Sequence, residues 1–112
     1  MDELEHYRCL IEELLREHTR IPYAYGKIEQ ELVFDREHDR YLLMNVGWDQ
    51  TGRRIHACLL HLDIIDGKVW VQRDGTEEGI VGGLLRGGVS PERIVMGYRA
   101  PEMRPYLDLT AP

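Results

Sequence analysis

The residues best suited to chemistry lie in one stretch, HLDIIDGKVWVQRDGTE, which covers residues 61 to 77. On a strand, His61 and Asp63 point to the same face because side chains alternate with a period of two. An imidazole held by a carboxylate is a common general-base arrangement. Trp70 and Arg73 follow closely enough to contact a ligand beside such a base. The pattern allows a small enzyme or ligand-binding domain, but a histidine on a half-solvated sheet explains it too, and we favour that second interpretation.

Metal binding is the next chemistry to weigh, because the chain has several residues of the right kind. These candidate ligands are His56, His61, Asp63, Asp66, Asp74 and Glu77. No HxH, HExxH or CxxC pattern accompanies them, and two of the aspartates each precede a glycine, where aspartate serves turn geometry. We therefore expect no metal site and no cofactor.

The sequence gives little support for a serine nucleophile or for a phosphate-binding loop. Ser90 precedes a proline at a predicted helix cap, and no GxSxG pattern surrounds it. The stretch GIVGGLLRGG is rich in glycine but lacks the GK[ST] and GxGxxG patterns of phosphate-binding loops. We expect no catalytic residue and a non-enzymatic protein.

Composition limits the class of protein further. A chain of 112 residues suits one domain, residues 1–112, that buries its own core without disulfides or metal. The net charge of -6 disfavours direct nucleic-acid binding, since binding to phosphates depends on clustered Lys and Arg. Cys9 and Cys58 show no CxxC pattern, so we expect both to be reduced and partly buried.

The N-terminal segment MDELEHYRCLIEELLREH is acidic and amphipathic, unlike a secretory signal. No run in the chain approaches the about 20 apolar residues of a membrane span. We therefore expect a cytoplasmic protein that does not associate with a membrane.

The same segment has the spacing of an amphipathic helix that ends at about Thr19. Asp2 can cap its start. Its predicted apolar face, at spacings of three and four, consists of Leu4, Tyr7, Ile11, Leu14 and His18, with Leu10 and Leu15 beside it.

From residue 28 the apolar residues recur with a period of two. This alternation predicts four strands, near residues 28–34, 42–48, 53–65 and 68–73. Asp66 and Gly67 form the dipeptide that a two-residue type I′ hairpin favours. On the second strand, one face is predicted to hold Leu42, Met44, Val46 and Trp48. On the third strand, alternation places Cys58, Leu60, Leu62 and Ile64 on one side and Ala57, Leu59, His61 and Asp63 on the other.

After the fourth strand, Thr76 is predicted to cap a second helix over residues 79–88. Its glycines lower helix stability, which suggests that another element packs very close to it. Residues 94–98 read as a short last strand, and an irregular tail follows from residue 101. The predicted fold is α+β: an N-terminal helix, a four-stranded antiparallel meander, a second helix, a short last strand and an irregular C-terminal tail.

Several stretches together resemble the XisI family. They are VGWD at 46–49, HLDIIDGKVWVQRDGTEEGI at 61–80, LLRGGVSPERIVMGY at 84–98 and RPY at 104–106. The resemblance covers essentially the whole chain, and the ordered combination of WVQ, DGTE and GVSPERIVMGY is long and specific.

The resemblance implies a regulatory accessory protein, like the factors that control excision of the fdxN DNA element in cyanobacteria. It implies a XisH-like protein as partner, and it provides no catalytic residue to carry over. An acidic chain of this kind could cover a basic groove on a nuclease-like partner.

Self-association is expected as well, because the long central strand has aliphatic residues on both faces and only two helices are available to cover them. We expect a homo-oligomer. The residues singled out for function or an interface are Trp48, His61, Asp63, Trp70, Arg73, Arg99 and Arg104. Trp70 fits a core position and an interface anchor equally well.

Overall fold

The computed structural model describes residues 2–21 and 26–102. The predicted C-terminal tail, including Arg104, lies mostly outside these residues. The elements in chain order are α1 (Glu3–His18), β1 (Lys27–Asp35), β2 (Arg40–Trp48), β3 (Arg54–Ile65), β4 (Lys68–Asp74), α2 (Val81–Arg86), a 3-10 turn (Pro91–Arg93) and β5 (Ile94–Met96). The predicted α+β architecture is confirmed.

Helix α1 begins as its sequence predicts, because the Asp2 carboxylate accepts a hydrogen bond from the Glu5 amide at 2.7 Å. Its buried apolar line is Tyr7, Ile11 and Leu15, at spacings of four. Leu4 is exposed and His18 is half-buried, so the apolar face is narrower than predicted. Neither helix in the described ranges is long and apolar enough to cross a membrane.

Strands β1 to β4 form the predicted antiparallel meander, and β5 adds to β4 in parallel to complete a five-stranded sheet. The hairpin between β3 and β4 has positive φ at Asp66 (52°) and Gly67 (74°), as a type I′ turn requires. The parallel pairing of β4 with β5 needs a crossover connection, which α2 supplies.

One face of the sheet, the inner face, packs against α1 and α2. Its buried residues form one cluster with those of the helices, and full burial of a side chain such as Leu60 contributes about 1.5–3 kcal/mol. The sheet residues of this cluster are Tyr41, Leu43, Leu60, Leu62, Ile64, Val69, Val71, Ile94 and Met96. The predicted row Leu42, Met44, Val46 and Trp48 therefore lies on the opposite, outer face.

The predicted alternation along β3 is wrong at Cys58, because a β-bulge interrupts the strand. Leu43 pairs with Leu60, but the next residue, Met44, pairs with Cys58, so Leu59 is the additional residue. Cys58 therefore shares the outer face with His61, not the inner face with Leu60. The Leu59 carbonyl accepts a hydrogen bond from the Gly75 amide at 2.8 Å, which ties the bulge to the end of β4.

Helix α2 is shorter than predicted, and Thr76 does not cap it. Its N-cap residue is Ile80, whose amide donates to the Asp74 carboxylate at 2.7 Å, while Thr76 Oγ1 accepts from the Gly79 amide at 3.1 Å. These polar side chains stabilise a loop before the helix, so α2 begins at Val81.

The prediction of close packing against α2 is correct. A Cβ at Gly83 would lie 2.8 Å from Leu14 Cδ2, and a Cβ at Gly87 would meet the Leu10 side chain. The Gly87 carbonyl also accepts a hydrogen bond from His6 Nε2 at 2.7 Å. Glycine in α2 therefore lets the two helices approach on the inner face.

Ion pairs fix α1 against the β1–β2 hairpin. Arg8 donates to both carboxylate oxygens of Asp39, at 2.8 and 3.2 Å. Arg36 donates to both oxygens of Glu12, at 2.9 and 3.0 Å, and Glu12 is 7% exposed. Paired hydrogen bonds of this type fix orientation as well as distance.

Gly47 provides a test of the β1–β2 register. Its φ is 150°, and a Cβ at this position would collide with the Lys27 carbonyl oxygen. Because backbone must move, Gly47→Ala is expected to lower the free energy of unfolding by about 3 kcal/mol or more. Gly52→Ala is the matched control, since Gly52 also has positive φ (84°) but no atom within 4 Å of the added Cβ. Urea unfolding that found equal losses for the two variants would contradict the proposed collision.

Asp39 provides a pH test of the α1–hairpin contact. Hydrogen bonding to Arg8 lowers the pKa of Asp39, so this carboxylate contributes stability above its unfolded pKa of about 3.9 and loses it as pH falls through the lower folded pKa. Asp39→Asn retains a residue that tolerates the positive φ of 52°. We expect a loss of about 1–2 kcal/mol at pH 7 that shrinks below about pH 4, measured by urea unfolding. A loss that is the same at pH 7 and pH 3 would exclude the ion pair as its cause.

Candidate functional site

The register of the sheet brings five of the singled-out residues to the outer face. Leu42 pairs with His61, which pairs with Arg73, while Asp63 pairs with Trp70 in the adjacent row. Trp48 lies at the far end of β2. Directly paired residues of an antiparallel sheet point to the same side, so these side chains share one surface.

The other two singled-out residues are Arg99 and Arg104. Arg99 follows β5, and its guanidinium lies 5.4 Å from the centroid of the Tyr98 ring. Arg104 is outside the described residues.

The centre of the site is a three-residue hydrogen-bond group. Nε2 of His61 lies 2.8 Å from Oδ1 of Asp63, and Nε2 of Gln72 donates to Oδ2 of Asp63 at 3.2 Å. The side chain of Asp63 is 12% exposed and that of His61 is 29% exposed. Two partners satisfy the nearly buried carboxylate, and the same contacts fix the imidazole in place.

The sequence analysis did not single out Gln72, although this residue contacts Asp63. The alternation in VWVQ places it two residues from Trp70 and thus on the same face, which was the available signal. Gly97 was missed too: a Cβ there would lie 2.5 Å from Gln72 Oε1 and 3.1 Å from Trp70 Cε3. The absence of a side chain at residue 97 lets the chain after β5 lie against Trp70, which is half-buried.

The nearest thiol does not form a catalytic pair with His61. Burial raises the pKa of Cys58, and its Sγ donates a hydrogen bond to the Leu60 carbonyl at 3.2 Å. A thiol is nucleophilic as its thiolate, so the raised pKa keeps Cys58 unreactive near neutral pH. His61 and Asp63 therefore form an oriented base without an activated cysteine.

A second feature is a cleft between the end of α1 and the loop before α2, here called the α1–α2 cleft, with a volume of about 510 Å³. Glu17 and Glu78 are exposed on its opposite sides, and Arg86 is also at its edge. Apolar contact surface comes from Leu14, Ile21, Ile80 and Gly83. Ile21 is 82% exposed, which is unusual for isoleucine.

Within the described residues, His61 and Asp63 are in contact, but no third candidate ligand from the sequence joins them. Asp74 is used by the loop before α2, and Asp66 forms the β3–β4 turn. One group of suitable side chains does occur, Asp35, Glu37 and His38, in the β1–β2 turn. There the Asp35 carboxylate already binds the amide and Nδ1 of His38, at 3.1 and 2.8 Å, so the group stabilises the turn.

Comparison with known proteins agrees with this fold. A family model described as XisI protein matches residues 1–111. A XisI-like protein from Anabaena variabilis has a solved structure that is 36% identical, with 96% of each chain covered and a TM-score of 0.85. The fdxN element excision controlling factor XisI from the same organism is 30% identical over 95% of this chain and 96% of the other, with a TM-score of 0.81. No curated protein matches. The chain therefore belongs to the XisI family.

Proposed function

We propose that this protein is a non-enzymatic regulatory factor of the cytoplasm that self-associates and acts by binding a XisH-like protein. The similar structure from Anabaena variabilis that is named an fdxN element excision controlling factor supports a role in control of a DNA rearrangement. Such a role needs a protein-binding surface on this chain and no reactive group.

The α1–α2 cleft is the observation that carries the proposal. Acidic side chains at its edge are Glu17 and Glu78, and the basic side chain there is that of Arg86. The guanidinium of Arg20 lies 4.0 Å from the Glu17 carboxylate. The exposed Ile21 and half-buried Leu14 provide apolar surface beside these charges. An apolar centre with an acidic border fits a basic surface on a partner protein, and the chain charge of -6 would speed its approach.

The site around His61 gives less support to catalysis. Neither His61 nor Asp63 lines the α1–α2 cleft or the smaller cleft beside Trp48. The neighbouring thiol is held protonated by burial. These features favour a binding protein.

The partner surface can be tested by charge reversal. Glu17→Lys with Glu78→Lys is expected to weaken binding to the XisH-like protein from the same genome by about 10-fold or more, since it replaces attraction with repulsion. Calorimetry at low salt measures the affinity. The matched control is Glu29→Lys with Glu31→Lys, which changes the charge equally on the outer face of β1 and should leave this affinity unchanged. Absence of any complex with the unaltered chain at low salt would refute the proposal.

A small enzyme or ligand-binding domain remains the second candidate, because His61 and Asp63 do form an oriented pair at 2.8 Å. If the pair is structural, His61→Ala should cost about 1–2 kcal/mol of stability, since the carboxylate of Asp63 loses one partner. It should change the affinity for the XisH-like protein by less than about 3-fold. Urea unfolding and calorimetry check both values. A small metabolite that raises the melting temperature of the unaltered chain but not of His61→Ala would favour the second candidate.

A further inference from the structure

The outer face of the sheet has its apolar residues concentrated on β2. The register aligns the side chains of this face into rows across β1 to β4. In that strand order, the rows are Lys27–Trp48–Arg54, Glu29–Val46–His56, Glu31–Met44–Cys58, Val33–Leu42–His61–Arg73 and Asp35–Arg40–Asp63–Trp70, and Ile65–Lys68 follows at the β3–β4 hairpin. Every row that crosses β2 has an apolar residue there except the last, which has Arg40.

The apolar part of this face is incompletely covered. Trp48 is 50% exposed and Val33 is 48% exposed, while Leu42, Met44 and Val46 are half-buried. Both helices of the described chain pack on the inner face, so no helix within residues 2–21 and 26–102 lies over these side chains. Apolar residues arranged in this way favour contact with another segment.

The charged side chains of the face are mixed in sign and nearly balance. The acidic ones are Glu29, Glu31, Asp35 and Asp63, and the basic ones are Lys27, Arg40, Arg54, Lys68 and Arg73. Within one row, Arg40 lies between Asp35 and Asp63. A face of this kind offers no electrostatic attraction to a second copy of a chain whose net charge is -6. It fits an apolar segment that has little net charge of its own.

Residues 103–112, with the sequence MRPYLDLTAP, have that composition. Their charged residues are Arg104 and Asp108, which cancel. Their large apolar residues are Met103, Tyr106, Leu107 and Leu109. Contact of these side chains with the apolar part of the outer face would remove both surfaces from water.

The described chain reaches the outer face shortly before this segment begins. Strand β5 pairs with β4 so that Val95 lies beside Trp70, which belongs to the outer-face row of Asp63. Gly97 then lies so close to β4 that an added Cβ would be 3.1 Å from Trp70 Cε3. The chain therefore passes Trp70 on the outer side of the sheet.

We propose that residues 103–112 bind across the outer face of their own chain, with their apolar side chains against Leu42, Met44 and Val46. The inference goes beyond the proposed function, because it needs neither a second copy nor a XisH-like protein. It gives the apolar residues of β2 a cover that the two helices do not provide.

The segment is long enough for this path. Val46 lies two strands across and six residues along from Trp70, a distance of about 22 Å. The chain from Gly97 to Leu109 can span up to about 40 Å when it is extended. The difference leaves room for the turn in which the Met96 carbonyl accepts a hydrogen bond at 3.1 Å.

Attachment to the same chain favours this segment over a separate molecule. A segment on a short linker meets its site at an effective concentration on the order of 1 mM. A separate molecule at micromolar concentration would need to bind about 1,000-fold more tightly to occupy the face equally. A few apolar contacts are therefore sufficient for the chain's own segment.

Cross-linking tests where the segment lies and to which chain it belongs. In a background with Cys9→Ser and Cys58→Ser, Met44→Cys and Leu107→Cys should be joined within one chain by a bismaleimide that spans about 10 Å. Mass spectrometry distinguishes this product, which has the mass of one chain, from a product that joins two chains. Glu13→Cys with Leu107→Cys is the matched control, since Glu13 is exposed on α1 at the other side of the sheet. This control should give about 10-fold less product.

Protection of a thiol on β2 provides a second measurement. In the same background, Met44→Cys alone is labelled with N-ethylmaleimide in the full chain. Leu107→Asp with Leu109→Asp should raise the labelling rate by about 10-fold or more, because a carboxylate is costly to bury against apolar residues. Thr110→Asp with Ala111→Asp adds the same charge without removing a large apolar side chain, and should change the rate by less than about 2-fold.

Three results would overturn the inference. They are equal cross-linking of the two cysteine pairs, a labelling rate that Leu107→Asp with Leu109→Asp leaves unchanged, and a main product that joins two chains. The last result would assign the segment to a second copy. Binding of the XisH-like protein through the α1–α2 cleft is measured separately with the Glu17→Lys and Glu78→Lys chain, so either proposal can fail without the other.

Discussion

Burial of the inner sheet face under α1 is the interaction on which the rest of this structure depends. Tyr7, Ile11 and Leu15 are almost inaccessible to solvent and join the sheet residues in one core. The ion pairs of Arg8 and Arg36 then fix the helix against the β1–β2 hairpin. Both α1 and the short α2 lie on the inner side, so no helix of residues 2–21 or 26–102 covers the other face of the five-stranded sheet.

That asymmetry explains why polar and apolar residues are mixed on the outer face. The bulge at Leu59 rotates Cys58 onto this face while Leu60 remains in the core. Without the additional residue, alternation would place Cys58 beside Leu60 and would break the row that contains Met44. His61, Asp63 and Gln72 satisfy one another at the other end of the face. The bulge thus lets one strand serve a fully buried core and a patterned outer surface.

Two surfaces of different character result, and they are separated by the thickness of the sheet. The outer face has the apolar residues Leu42, Met44, Val46 and Trp48 along β2, followed by Arg40 at the other end of that strand. The α1–α2 cleft is concave and has carboxylates on opposite sides.

The sequence by itself determined α1, the four-stranded meander and the Asp66–Gly67 turn, because these depend on local spacing, capping and backbone conformation. It also placed His61 and Asp63 on one face, and the glycines of α2 correctly indicated a close neighbour. Only the tertiary structure decided that the row from Leu42 to Trp48 faces outward, since a strand with apolar residues on both sides has no local preference between them. The bulge at Leu59, the parallel pairing of β5 and the contact of Gln72 with Asp63 also depend on residues distant in the chain. Local periodicity cannot specify such contacts, because their energy arises only when the sheet has formed.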